Sequence, residues 1–230
     1  MPRKNVDRAI SLVQFTDGPA VDTKQDPLPS HWHIVWVGGQ SNACGSNGQT
    51  SDYPVWPTTN RVQMFCWDGI PMKRSHGCTP GRFAPAAVPV SNEFNVGFSQ
   101  TFANLLLPTL PKDHGVLLVN TCEGETGFVT GDWSKDGPLI SRSLTAVESM
   151  VAALPEQLGG SSHNLVFEAL LWHQGEADAG DNREHPVYHA KYCTYLEELS
   201  ALVDTRYAAP GRTVRVGDGR PAPCHTQPCQ

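Results

Sequence analysis

The chain has 230 residues, of which 39% are hydrophobic and 17% are charged, a composition typical of one globular domain rather than a disordered segment. Its formal net charge of −6 gives no electrostatic reason to bind nucleic acid or an anionic membrane. No segment approaches the roughly 18 apolar residues that cross a bilayer, and residues 1–14 lack the apolar core of a secretory signal. With residue 1 as the natural start, these features predict a cytoplasmic protein. They leave its oligomeric state open.

The seven cysteines are odd in number, scattered along the chain and without a Cys-x-x-Cys pair. In a reducing compartment this pattern predicts free or buried thiols. A Cys66–Cys78 bridge is the alternative if the protein is exported. Cys224, His225 and Cys229 do not have the spacing of a standard zinc motif, so the sequence predicts no metal and no other cofactor.

The first half of the chain alternates short predicted strands with long loops. Residues 1–30 are polar and contain prolines, and we interpret them as a loose N-terminal arm. An apolar run that ends in Gly38 and Gly39 predicts a buried strand over residues 33–38, and a second strand is predicted over residues 61–67. The stretches 43–61 and 68–95 are rich in glycine, proline and polar residues. Loops of this length in a compact domain usually line functional sites.

The second half alternates helices and strands more regularly. Hydrophobic periodicity predicts helices over residues 96–107, 138–154 and 188–203, with strands over 115–120, 164–172 and 213–216. Such alternation predicts an α/β fold with a parallel sheet and right-handed crossovers. We therefore expect one domain over residues 31–217, followed by an irregular tail over residues 218–230.

Reactive residues follow three of the predicted strands. Ser41 comes after the first, Gly124 after the third and Gln174 after the fourth, and the carboxyl ends of parallel strands share one edge of a sheet. Acyl transfer needs a nucleophilic hydroxyl and donors directed at the oxyanion. The backbone N–H groups of Ser41 and Gly124 and the amide of Gln174 are candidate donors. Glu176 is predicted to be a supporting carboxylate that orients the Ser41 loop rather than a proton carrier.

Two sequence blocks carry a family resemblance. Gly39-Gln40-Ser41-Asn42 and the Trp-His-Gln-Gly-Glu-Ala-Asp-Ala run over 172–179 resemble signature blocks of the sialate O-acetylesterase-like and acetylxylan-esterase-like branch of the SGNH (GDSL) hydrolases. The resemblance spans roughly residues 33–205. It implies a three-layer α/β/α, flavodoxin-like fold, no metal, and a serine that removes O-acetyl groups from sugars through an acyl-enzyme. An acetylated carbohydrate is then the expected partner.

One departure from that family concerns the base. The family takes its catalytic histidine from a C-terminal Asp-x-x-His motif, and this chain contains none, as expected if it is truncated at its C-terminus. His185, His189 and His225 are candidate substitutes, while His173 is predicted to be packed or hydrogen-bonded on the other side of its strand. Trp133 is a candidate for contacting the acyl group or sugar, or else a core residue.

Three functions therefore remain open. The first is a serine carbohydrate esterase, and the second is a catalytically impaired remnant that only binds carbohydrate. The third, a flavodoxin-like nucleotide binder, is less favoured because the turn after the first strand lacks the glycine patterns that hold phosphate.

Overall fold

The computed structural model describes residues 27–43, 45, 59–67, 79–86, 98–159, 164–178, 186–207 and 215–217. Within these ranges the strands are β1 (His31–Gly39), β2 (Val62–Cys66), β3 (Arg82–Pro85), β4 (His114–Asn120), β5 (Leu165–His173) and β6 (Arg215–Gly217). The helices are α1 (Phe98–Leu106), α2 (Pro138–Leu158) and α3 (Pro186–Tyr207), and a 3₁₀ turn (Leu107–Thr109) follows α1. The N-terminal arm before residue 27 and the tail after residue 217 lie outside the described residues.

All the described strands belong to one sheet, in the order β3-β2-β4-β1-β5-β6. β1 pairs in parallel with β4 and β5, whereas β3 is antiparallel to β2 at the sheet edge. The parallel α/β sheet predicted from the sequence is confirmed, and β1 lies at its centre. Ligands of open parallel sheets collect beyond the carboxyl ends of such central strands.

Both faces of the sheet are covered by helices, which explains why β1 is buried along almost its whole length. Trp32, Ile34 and Trp36 pack in one core cluster with residues of α2 and α3. Val35 and Val37 pack in a second cluster on the other face, against α1. Because successive side chains of a strand point to opposite faces, the two clusters make the three layers of the fold.

The predicted elements agree with the structure to within a few residues, with two corrections. The segment 68–95 was expected to be irregular, yet it contains β3. This edge strand is only four residues long and half-exposed, so it has no clear alternation, and Pro85 is of the kind that edge strands tolerate. The second helix continues past Pro155 to Leu158, because Leu154 and Leu158 are buried in the core and the left-handed Gly159 ends the helix.

The described cysteines differ in whether they form a disulfide. Cys122 and Cys193 are buried and form no disulfide, as expected, whereas Cys66 at the end of β2 is disulfide-bonded. Since the other two described cysteines form no disulfide, the partner of Cys66 lies outside the described residues, as Cys44, Cys78, Cys224 and Cys229 do. The expectation of free thiols is therefore wrong for Cys66, and a disulfide is typical of an oxidising compartment.

Each helix in the described part of the chain is too short or too polar to span a membrane.

Candidate active site

Backbone hydrogen bonds draw the carboxyl ends of β1, β4 and β5 together. The N–H of Gln40 donates to the carbonyl of His173 over 3.0 Å, and the N–H of Glu123 donates to the carbonyl of Gly39 over 3.0 Å. These bonds join the residue before Ser41 to the residue before Gln174, and the residue before Gly124 to β1. Ser41, Gly124 and Gln174 therefore follow three adjoining strand ends at one edge of the sheet.

The path of the chain toward Ser41 depends on Gly39. Its φ of +124° lies in a region that side chains rarely adopt. A Cβ at this position would lie 2.0 Å from the carbonyl oxygen of His173, well inside van der Waals contact. Only glycine allows β1 to approach β5 this closely before turning to present Ser41.

Ser41 and Gly124 are close neighbours. A Cβ placed on Gly124 would lie 3.9 Å from the Cβ of Ser41, so any larger side chain would fill the space beside the serine hydroxyl. In the part of the chain that the structure describes, the backbone N–H groups of Ser41 and Gly124 donate to no acceptor. The role of both groups as oxyanion donors stays a prediction.

Gln174 is buried and its amide is already engaged. The Nε2 group donates to the carbonyl of Thr126 over 3.2 Å and to the Asp178 carboxylate over 2.5 Å. An amide has two N–H donors, so both are occupied in this arrangement. Donation from Gln174 to an oxyanion would require one of these bonds to be exchanged, and its role as an oxyanion donor stays a prediction.

Asp178 is a site residue that the sequence interpretation did not single out, although it lies in the Trp-His-Gln-Gly-Glu-Ala-Asp-Ala block. Its carboxylate is 3% exposed and accepts hydrogen bonds from the N–H groups of Phe128 and Val129, each over 3.0 Å, as well as from Gln174. A Cβ on Gly127 would lie 2.2 Å from this carboxylate. Asp178 therefore joins the end of β5 to the loop that follows Gly124.

Glu176 links the loop after β1 to the segment after β5. Its Oε1 accepts a hydrogen bond from the side chain of Asn42, which is adjacent to Ser41, and lies 3.7 Å from Nε2 of His173. A second link runs from the N–H of Ala177 to the side-chain oxygen of Gln40 over 3.1 Å. Both residues that flank Ser41 in the sequence are thus held by residues that follow Gln174.

The structure describes the side chain of His173 but not those of the three candidate bases. The side chain of His173 is 49% exposed and meets Phe98 edge-on. As the last residue of β5 it lies beyond the buried part of the strand, where its ring packs on Phe98 and lies 3.7 Å from Glu176. His185, His225 and the side chain of His189 lie outside the described residues.

Trp133 is a core residue and not a surface that contacts substrate. It is 1% exposed, lies edge-on to Trp172 with ring centroids 5.0 Å apart, and donates its indole N–H to the hydroxyl of Thr126 over 2.8 Å. The expectation that it contacts the acyl group or sugar is wrong, whereas the alternative of core packing is confirmed. Through Thr126, Trp133 supports the same loop that Asp178 holds.

A serine beside a glycine at the carboxyl edge of a parallel three-layer α/β sheet is the arrangement of an SGNH-type hydrolase. A family model described as "Carbohydrate esterase, sialic acid-specific acetylesterase" matches residues 31–207, which is most of the chain. The chain belongs to this family of carbohydrate esterases. A comparison with curated proteins gave no match.

Three solved structures are similar to this chain at low sequence identity, and the first two share its fold. NanS is 20% identical, with a TM-score of 0.51 over 76% of this chain and 64% of NanS. A protein from Arabidopsis thaliana is 19% identical, with a TM-score of 0.54 over 82% of this chain and 73% of that protein. A carbohydrate acetylesterase from Xanthomonas citri is 17% identical, with a TM-score of 0.42 over 74% and 38% of the two chains. The chain thus spans less than two thirds of the length of NanS.

Proposed function

We propose that this domain removes O-acetyl groups from sugars and that Ser41 is its nucleophile. The observation that carries the proposal is the proximity of Gly124 to Ser41, since a Cβ placed on Gly124 would lie 3.9 Å from the Cβ of Ser41. Among the described residues, the backbone N–H groups of both donate to no backbone acceptor. Membership of a carbohydrate esterase family supplies the substrate class, an acetylated carbohydrate. The structural similarity to NanS and to the Arabidopsis thaliana protein, at 20% and 19% identity, supports the fold and not a particular sugar.

The proposed reaction has two steps. The Oγ atom of Ser41 attacks the acetyl carbonyl carbon, and the N–H groups of Ser41 and Gly124 donate to the resulting oxyanion. The C–O bond to the sugar then breaks, the sugar oxygen takes up a proton, and an acetyl-serine remains. Water attacks this ester in the second step, which releases acetate and restores the serine hydroxyl.

The first step needs a base to accept the Ser41 proton, and the chain has no Asp-x-x-His motif. Among the described histidines, His173 is the candidate that the contacts support, because Glu176 lies 3.7 Å from its ring and also holds Asn42 beside Ser41. His185, His189 and His225 are the alternatives. A chain without an effective base would be the impaired remnant, which binds carbohydrate but hydrolyses it slowly.

The test measures acetate released from O-acetylated sialic acid and from acetylated xylan, together with labelling of the protein by a fluorophosphonate probe. Acetate release faster than that caused by free imidazole, with the probe attached to the Ser41 peptide, supports the esterase. Sugar binding detected by calorimetry without labelling or acetate release supports the remnant. Absence of labelling, release and binding contradicts both proposals.

Replacing Gln174 with alanine is expected to slow acetate release by about 10²-fold, the usual effect of losing one oxyanion donor. This prediction requires the amide to exchange one of its bonds to Thr126 or Asp178 for a bond to the oxyanion when substrate is bound. The measurement is kcat with p-nitrophenyl acetate, with Gln157→Ala on α2 as a control at a distance from Ser41. A kcat equal to that of the unchanged protein would assign Gln174 a purely structural role.

Replacing Glu176 with glutamine separates its two candidate roles. A supporting carboxylate needs only an oxygen that accepts the Asn42 hydrogen bond, which glutamine retains, so we expect kcat to fall by less than about tenfold. Loss of a residue that transfers protons would instead cost about 10²–10⁴-fold. The measurement is kcat across the pH range, and a loss within the larger range would contradict the supporting role.

A further inference from the structure

A second cluster of chemically active side chains lies at the amino edge of the sheet, opposite Ser41. His31 and His114 are the first residues of β1 and β4 and are register partners. Asp113 directly precedes β4. One ligand atom from each of these residues lies within 4.8 Å of the other two, so two neighbouring strand starts bring two imidazoles and a carboxylate together.

The ligand atoms of this cluster lie somewhat farther apart than those of an occupied metal site. His31 Nδ1 is 3.6 Å from Asp113 Oδ2, and His114 Nε2 is 3.9 Å from Asp113 Oδ1. Tetrahedral zinc with bonds of about 2.0–2.2 Å keeps its ligand atoms about 3.3–3.5 Å apart, so ligand atoms that lie within 4.8 Å of one another close by up to about 1.5 Å. The His31 ring stacks on His114 with centroids 4.6 Å apart, and it turns toward the shared ion by exchanging the contact of its Nδ1 with the Ser30 hydroxyl at 2.9 Å. The side chains of His31 and Asp113 are 41% and 61% exposed, which leaves them free to adjust and lets an ion enter from solvent.

A buried relay determines which atom His114 presents. Glu168 Oε2 lies 3.0 Å from His33 Nδ1, and His33 Nε2 lies 2.9 Å from His114 Nδ1. With His33 neutral, its Nδ1–H donates to Glu168, and its bare Nε2 accepts the Nδ1–H of His114. His114 then directs the lone pair of its Nε2 toward the Asp113 carboxylate. These two acceptors face each other across 3.9 Å, and a cation bound between them would contact both, while the Ser30 hydroxyl donates to the other oxygen of Asp113 over 3.1 Å.

We propose that His31, Asp113 and His114 form a site for a divalent transition-metal ion, with zinc as the expected occupant and water completing the coordination. Two imidazoles and one carboxylate favour zinc, copper or nickel over magnesium and calcium, which prefer oxygen ligands. Glu168 and His33 orient the His114 ligand from behind, as outer partners of metal-bound histidines commonly do. The site ties the start of β1 to the start of β4 and is independent of the esterase proposal.

The experiment uses the full 230-residue chain prepared without a polyhistidine tag. The protein is stripped with a chelator and dialysed against zinc, and the bound metal is measured by mass spectrometry. We expect one zinc ion per chain, lost in the His31→Ala/His114→Ala double variant and retained in Asp136→Asn, which changes an exposed carboxylate elsewhere. Cobalt added in place of zinc should give the visible absorption of a site with nitrogen and oxygen ligands. Zinc binding that is absent from the unchanged chain, or undiminished in the double variant, would overturn the proposal.

Two single variants test the relay, and they also show whether a loss of zinc binding in the double variant comes from misfolding. Glu168→Gln is expected to weaken zinc binding by about 10–100-fold, the usual effect of removing an outer partner. Asp113→Asn changes an exposed side chain, should not disturb folding, and should also weaken binding. Unchanged zinc affinity in Asp113→Asn would contradict the carboxylate ligand, and unchanged affinity in a folded Glu168→Gln would contradict the relay.

Discussion

Replacing Ser41 with alanine is expected to reduce acetate release to the uncatalysed background. In serine hydrolases with a complete set of catalytic groups, removal of the serine costs about 10⁶-fold in kcat. In this chain the expected loss is its whole rate enhancement over the uncatalysed reaction. No hydrogen bond of the Ser41 hydroxyl joins it to another described residue, so the unfolding midpoint should stay nearly unchanged. The measurement is acetate release by purified protein, with the unfolding midpoint recorded in parallel.

Ser200→Ala provides the matched control, since it removes a half-exposed serine of α3. This variant should keep full activity and full fluorophosphonate labelling, whereas Ser41→Ala should lose both. Equal hydrolysis by Ser41→Ala and the unchanged protein would show that Ser41 is not the nucleophile. In that case any observed esterase activity must come from another group.

Replacing Asp178 with alanine should produce the largest loss of stability among the site variants. The change would leave the N–H groups of Phe128 and Val129 and one N–H of Gln174 without their acceptor. Removing one partner from such a buried polar network costs about 3–5 kcal/mol. For a domain of this size, that cost lowers the unfolding midpoint by about 10 °C. Thermal unfolding measured by circular dichroism checks the prediction.

The same variant should also slow acetate release at a temperature where it is folded, because Asp178 positions both Gln174 and the loop after Gly124. Asp136→Ala, which removes an exposed aspartate, is the control and should change neither property. A midpoint within about 2 °C of the unchanged protein would contradict the role assigned to Asp178. Asp178→Asn keeps the shape and one oxygen acceptor, so we expect an intermediate midpoint.

The sequence alone was sufficient to predict the class of fold and the strand ends that carry the candidate site. Apolar periodicity and glycine positions are local properties, so the runs before Ser41, Gly124 and Gln174 could each be interpreted by itself. The rule that parallel strands share a carboxyl edge then placed all three together. β3 was missed because a four-residue edge strand carries too little periodic signal.

Only the tertiary structure decided which side chains meet across the fold. The position of β1 between β4 and β5 sets Glu176 against Asn42, and it brings His31 beside His114 at the opposite edge. Asp178 meets the N–H groups of Phe128 and Val129 across about fifty residues of chain, and no local pattern encodes a contact between segments so far apart. Strand order and side-chain direction arise from the packing of the whole sheet, so the partners of Gln174, His173 and Trp133 depend on contacts that a single segment cannot specify.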